Sequence, residues 1–220
     1  PLNERCRGLQ SATLNFWEQA AAERTTRQAW RPLVQKLLIH GIDTFVGANF
    51  ALTLRDRFEI VGLAANEDWQ LAGCQIAGCQ ADDTRQLAEQ VHAIAPRAIV
   101  SCGPLARGSW DLTPHARVDA EREVAIAQTL IQAAQQTRAH LTLVSTDAAF
   151  AGPRMFHSES SPATANTPAA NAARALTAAA SGGEGLFIRT HAYGWSPAGA
   201  EGGFAQRMWE QLSAGGCAAV

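Results

Sequence analysis

The chain has 220 residues, of which 47% are hydrophobic and 17% charged, with a formal net charge of −2. That length is about one to one and a half domains, with enough apolar material for a core and too little charge for disorder. The near-neutral charge argues against nucleic acid or an anionic membrane as partner, and no apolar run approaches the roughly 18–20 residues of a membrane span.

The first thirty residues carry Glu4, Arg5, Arg7, Glu18, Glu23 and Arg24, so they do not read as a signal peptide. Cys6, Cys74, Cys79, Cys102 and Cys217 are too few for a disulfide framework, and buried free thiols in a reducing cytoplasm are expected. Among the 18 basic residues the one lysine is Lys36, and the one tyrosine is Tyr193. A mechanism that needs tyrosine and lysine one turn apart on a helix is therefore excluded by position alone.

In chain order, Leu9 to Trp30 has helical spacing through Leu14, Trp17, Ala20 and Ala21, and Arg31-Pro32 punctuates it. This predicts an N-terminal helical extension over residues 1–32. Strands and helices then alternate. Lys36–His40 is a short apolar strand, followed by a turn from Gly41 to Gly47 and a helix from Ala48 to Arg55. Phe58–Leu63 is a second strand, Cys74–Gln80 holds a third, and Asp83–Ala95 has helical spacing. Ala98–Cys102 is another strand, and Thr113-Pro114 reads as N-cap and first-turn proline of a helix reaching about Thr137. His140–Ser145 is a strand, a polar loop runs from Asp147 to Asn166, and Thr167-Pro168 starts a helix that stops at Gly182-Gly183. Gly185–Arg189 is a strand, Gly203–Leu212 a helix, and Cys217–Val220 the start of a further strand. Strands apolar on both faces, alternating with helices, imply an α/β fold. It is a Rossmann-like, doubly wound parallel sheet over residues 35–220, with helices on both faces, preceded by the N-terminal helix.

The best-defined motif is strand, Gly41-x-x-Thr44-x-x-Gly47, helix. In a dinucleotide-binding turn the first glycine makes the bend, the middle one admits the pyrophosphate and the last lets helix and strand pack closely. Thr44 stands at the middle position, and Asp43 adds a carboxylate where a second anion would be repelled. At the end of the second strand, where a ribose-gripping acid is expected, stand Leu63, Ala64, Ala65 and Asn66, with Glu67 and Asp68 slightly late. The turn predicts a retained fold with weakened dinucleotide binding.

Val144-Ser-Thr-Asp-Ala-Ala-Phe-Ala-Gly152 resembles the "STDYVFDG" segment of the dTDP-4-dehydrorhamnose reductase family, a branch of the extended short-chain dehydrogenase/reductases. The Gly41–Gly47 turn, Ser101-Cys-Gly103, Glu159 and Leu186–Gly194 (similar to the family's "RTSWVYG") agree in order and spacing, over about Lys36 to Val220. Most of the family's C-terminal substrate region falls beyond this span. The resemblance implies cofactor contacts at Gly41, Thr44, Phe45, Gly47, Ser101, Ser145 and Thr146. It also implies a catalytic threonine or serine, matched by Thr146, and a Tyr-x-x-x-Lys pair whose positions fall on Ala169 and Ala173. Near Glu123 the family has an asparagine, and Gln80 takes the place of an aspartate often found after the third strand.

Without the phenol, no proton donor of that kind remains, and such a group supplies about 10²–10⁴-fold. The expectation is a catalytically degenerate reductase-like protein, not an enzyme of the tyrosine type, serving as a regulatory, scaffolding or assembly subunit with a protein partner or a second copy. The alternative is an NAD(P)- or sugar-nucleotide-binding protein with residual or altered oxidoreductase activity. No metal is expected: Cys74-x₄-Cys79 lacks a second pair, and His157 with Glu159 and Asp147 reads as a solvated polar loop. Ser145-Thr146-Asp147 has no histidine placed beside it by sequence, so strand-end bonding to backbone is expected there. Arg189 and His191 lie at a strand end, where they either touch an anionic ligand or pair with a neighbouring carboxylate; Tyr193, Trp195 and Phe204 are expected to pack.

Overall fold

The computed structural model describes residues 35–80, 83–112, 118–150, 157–181, 183, 185–197 and 202–214. The predicted helix over 9–30, the strand start at Cys217–Val220 and the Thr113-Pro114 cap lie outside these residues. Six strands alternate with five helices among the described residues. In order they are β1 (Lys36–His40), α1 (Phe45–Leu54), β2 (Glu59–Ala64), β3 (Gln75–Gly78), α2 (Thr84–Ile94), β4 (Ala98–Ser101), α3 (Ala120–Thr137), β5 (His140–Thr146), α4 (Pro168–Ala180), β6 (Leu186–Thr190) and α5 (Phe204–Ser213). The strands form one parallel sheet in the order β3-β2-β1-β4-β5-β6. The reversal between β1 and β4 is the switch point at which such sheets bind ligands beyond their carboxyl ends.

Both faces of the sheet are covered, which is why the strands read as continuous apolar runs. Alternation along β1 shows it: Leu38 faces a core built with Leu87 and Val91 of α2, Ile126 and Leu130 of α3 and Leu176 of α4. Leu37 and Ile39 face the opposite core with Val46 and Ala51 of α1, Ile60, Val100 and Val144. Gly62 in β2 admits the Ile42 side chain; a Cβ there would lie 2.3 Å from its Cδ1.

Helix starts differ from the sequence expectation where a side chain caps the backbone. The first helix begins at Phe45, three residues earlier than expected, because the Thr44 hydroxyl accepts the Gly47 N–H. The long helix begins at Ala120, where Asp119 accepts the N–H of Arg122 at 3.1 Å. It ends on Arg138 in the left-handed conformation (φ 55°). Thr167 and Pro168 do serve as N-cap and first helical residue of α4. Asp119→Ala should cost about 1 kcal/mol, read as a lower urea midpoint at unchanged slope; an unchanged midpoint would show that this cap contributes nothing.

Candidate active site at the carboxyl edge of the sheet

The glycine turn closes the end of β1. Gly41 sits at φ 72°, and a Cβ on it would fall 2.2 Å from the Cys102 carbonyl oxygen. Gly47 packs onto the same turn, where a Cβ would lie 2.1 Å from the Gly41 oxygen. Thr44 turns its hydroxyl inward, donating to the carbonyls of Gly41 (2.8 Å) and Cys102 (3.2 Å) while accepting from the Gly47 amide (3.1 Å). It thereby uses an amide of the helix N-terminus that a bound anion would otherwise take. Asp43 reaches across to accept the Ala65 N–H at 3.1 Å, so a carboxylate does stand at the end of β2, supplied by the turn and not by the strand. Asn66 is engaged locally, accepting from the Asp68 N–H at 3.0 Å. These residues fit the ribose half of a dinucleotide and leave its phosphates one amide short.

Ser101, Ser145 and Thr146 lie at the ends of β4 and β5 along the same edge. Ser101 bonds His40 Nδ1 at 3.0 Å. Burial holds His40 neutral, lowering it from 6.5 to about 4, with the Arg122 charge adding to the effect. Thr146 is fully buried, and its hydroxyl accepts the Ala148 N–H at 3.0 Å, capping the short 3-10 turn Asp147–Ala149. Ser145 Oγ is buried with no hydrogen-bond partner among the described residues. Phe45, the first residue of α1, turns its ring toward Gly194 and Gly203, 3.7 Å from where a Cβ would stand on either. Glu123, buried on α3, brings Oε2 to 3.2 Å from where a Cβ on Gly103 would stand. Burial pushes this carboxyl up to about 7, with the Asp119 charge adding and Arg122 opposing. Ala169 and Ala173, where the resemblance puts tyrosine and lysine, are buried methyl groups at 4% and 0% exposure on α4.

The structure also assembles a polar cluster that the sequence reading did not join. Asp147, just past β5, takes His191 Nδ1 at 2.9 Å on Oδ2. The same carboxylate accepts the Ser109 N–H at 2.7 Å on Oδ1 and the Ser109 hydroxyl at 3.1 Å on Oδ2. His191 thus pairs with a carboxylate, and Asp147 faces His191 rather than His157, whose ring stacks on Phe150 at 4.3 Å. The register explains the encounter: Thr146 pairs with Thr190, so the next residue of each strand, Asp147 and His191, emerge side by side. Arg189 points elsewhere, between the rings of Phe150 and Phe187, and donates to the Thr177 hydroxyl at 3.1 Å. Phe204 packs on Trp110, and Trp195 meets Trp209 edge-on at 6.3 Å while remaining 55% exposed; Tyr193 is 78% exposed, contrary to the expectation that it packs, because the chain has left the sheet there. Cys79 and Cys102 are buried free thiols and Cys74 is half-buried; burial drives Cys102 up to about 12, which makes it inert.

No protein-family model matches the sequence, and no curated protein matches it. Solved structures do. WbmG of Bordetella bronchiseptica, an enzyme crystallised with NAD, superposes with a TM-score of 0.67 at 17% identity, over 87% of this chain and 63% of that one. The two chains share a fold, one parallel sheet in the order β3-β2-β1-β4-β5-β6 with helices on both faces. A hypothetical dTDP-4-dehydrorhamnose reductase from Sulfolobus tokodaii gives a TM-score of 0.65 at 16% identity, over 82% of this chain and 63% of that one. The dTDP-4-dehydrorhamnose reductase of Bacillus anthracis in complex with NADP gives 0.59 at 15% identity, over 83% and 61%. The chain spans less than two thirds of the length of each of these structures. No helix among the described residues is long and apolar enough to cross a membrane.

Proposed function

We propose that this chain binds a nucleotide ligand, a nicotinamide dinucleotide or a sugar nucleotide, at the carboxyl edge of its sheet, and that its chemistry does not use a tyrosine–lysine pair. The observation that carries this reading is the closed glycine turn at the β1–β4 switch point, with Asp43 placed at the end of β2. In that position Asp43 accepts hydroxyls of an adenosine ribose and repels a 2′-phosphate, which selects NAD(H) over NADP(H). WbmG, with which the chain shares its fold, has been crystallised with NAD and with NAD and UDP together.

Calorimetric titration at low salt tests the reading. NADH is expected to bind at about 100 μM or tighter, roughly −5.5 kcal/mol, and NADPH more weakly. Thr44→Gly should tighten NADH about fivefold, since it returns the Gly47 amide to a phosphate oxygen for about 1 kcal/mol while a glycine cap costs α1 only a few tenths. No heat with millimolar NADH, NADPH or UDP-glucose would overturn it. That result would favour a second reading, a reductase-like regulatory or assembly subunit, supported by the buried Ala169 and Ala173 and by the exposed Trp195, Trp209 and Leu212.

A further inference from the structure

The Asp147–His191–Ser109 cluster joins three segments that are far apart in sequence, and its geometry allows one chemical role more readily than others. In a nucleophilic triad the serine bonds one imidazole nitrogen and the carboxylate the other. Here Ser109 Oγ lies 3.3 Å from His191 Nδ1, the nitrogen that Asp147 already holds at 2.9 Å. Serine and carboxylate sit on the same side of the ring, so Ser109 is not placed as a nucleophile and serves to orient Asp147. The other nitrogen, Nε2, has no hydrogen-bond partner among the described residues, and the ring is 27% exposed. An imidazole anchored through Nδ1–H to a carboxylate is fixed in the tautomer that turns its Nε2 lone pair outward.

The surroundings hold this ring in place. A Cβ on Gly108 would meet His191 Cε1 at 3.0 Å and Nδ1 at 3.1 Å, so the backbone lies directly against the imidazole. Trp110 meets the ring edge-on at 4.5 Å and is itself backed by Phe204 at 5.3 Å. The segment Ser109–Asp111 is tied to α5 by an ion pair from Arg207 to Asp111 at 2.8 Å, with the Asp111 side chain only 5% exposed. Trp110 remains 63% exposed, which leaves a flat apolar surface beside the imidazole of the kind that ligand rings pack on.

The geometry points to His191 as the proton-transfer residue of this site, acting through Nε2 on a hydroxyl or carbonyl oxygen of the sugar carried by a nucleotide ligand, with Asp147 and Ser109 as positioning residues. In one direction the imidazolium gives its Nε2 proton to a ligand oxygen that is gaining negative charge and is left as neutral imidazole. In the other the neutral Nε2 takes the hydroxyl proton and becomes imidazolium. The role is the one left open by the alanines on α4. It rests on the proposed nucleotide-binding function for its ligand and not for its geometry.

Two measurements on the full chain separate these. Diethyl pyrocarbonate acylates unprotonated imidazole nitrogens, and peptide mapping resolves each histidine. Without ligand, His191 should react through Nε2, its nitrogen without a partner among the described residues, with the exposed His140 as internal reference. Asp147→Asn should slow His191 at least about threefold relative to His140 with the circular dichroism unchanged, and Ser109→Ala should slow it less, which keeps the test open if the first variant folds poorly. A ratio of His191 to His140 rates unchanged in both variants would overturn the proposal. With UDP-glucose and NAD⁺ added at concentrations that calorimetry shows to be saturating, His191 should be protected at least about threefold while His140 is unaffected. Binding without protection overturns the role of His191 and leaves nucleotide binding standing. A His191 rate that depends on Asp147, with no nucleotide binding, supports the acid–base pair and overturns the nucleotide ligand.

Discussion

Gly41→Ala should lower the unfolding free energy by about 2–5 kcal/mol, out of about 5–15 kcal/mol for a domain of this kind. Two costs combine at this position. The backbone is left-handed at φ 72°, where an L side chain meets its own carbonyl. The added Cβ would also stand 2.2 Å from the Cys102 oxygen and 2.9 Å from its carbon, both backbone atoms of the segment that follows β4. Neither can rotate away. The turn is further fixed by the Gly41 and Ile42 amides, which donate to the Leu63 carbonyl at 3.0 and 3.2 Å. Relief would therefore pull β1 away from β2 or β4. Gly73 is the control: its φ is 82°, but a Cβ there meets only Arg55 Cδ at 3.3 Å, the middle of a flexible side chain. Gly73→Ala should carry the conformational cost of about 1–2 kcal/mol and little more. Urea denaturation of the pair decides the matter: equal losses would mean that contact between the glycine turn and the end of β4 does not constrain the fold.

Glu123→Gln should stabilise the protein at pH 8, leave its stability at pH 4 unchanged, and turn a flat profile between about pH 4.5 and 6.5 into a rising one. The buried Glu123 carboxyl titrates at about 7 in the folded chain against an ordinary value of 4.5. Between those values the native state binds more protons than the unfolded state, so stability falls as pH rises from 4.5 and the whole cost is present above about 7. At 1.36 kcal/mol per decade that cost is on the order of 3 kcal/mol. His40 has the opposite slope. It titrates at about 4 when folded and 6.5 when unfolded, so its contribution is complete above 6.5 and is lost as pH falls toward 4. The two slopes offset each other between about pH 4.5 and 6.5, and the wild-type profile should be flat there before dropping to about pH 7. Removing the carboxyl charge leaves the His40 slope alone, so the variant should gain stability steadily from pH 4 to 6.5 and then hold it. A parallel shift of the whole profile would show that Glu123 is not kept neutral by burial.

Much of the architecture was legible in the sequence because it rests on local patterns. Apolar runs such as Leu37–Ile39 and Leu141–Val144 mark strands buried on both faces, and Thr167-Pro168 marks a helix start through one side-chain hydrogen bond and one fixed φ. The bend at Gly41 is readable as well, since a strand followed by Gly-x-x-Thr-x-x-Gly and a helix has few backbone solutions. The separation of Lys36 from Tyr193 followed from composition and position without any fold, and the resemblance is what set its tyrosine and lysine positions on Ala169 and Ala173. Tertiary structure decided the rest, because it depends on distance between segments. Sequence spacing gave no reason to expect that Thr44 would fold its hydroxyl under the turn, onto the carbonyl of Cys102 58 residues away. Nor did it reveal that Asp43 would supply the carboxylate at the end of β2, or that Gly62 is small to admit Ile42. The Asp147–His191 pair is the sharpest case. The sequence offered a carboxylate partner for His191 without naming it, and only the parallel register of β5 with β6, Thr146 beside Thr190, sets a carboxylate and an imidazole 44 residues apart within one hydrogen bond of each other.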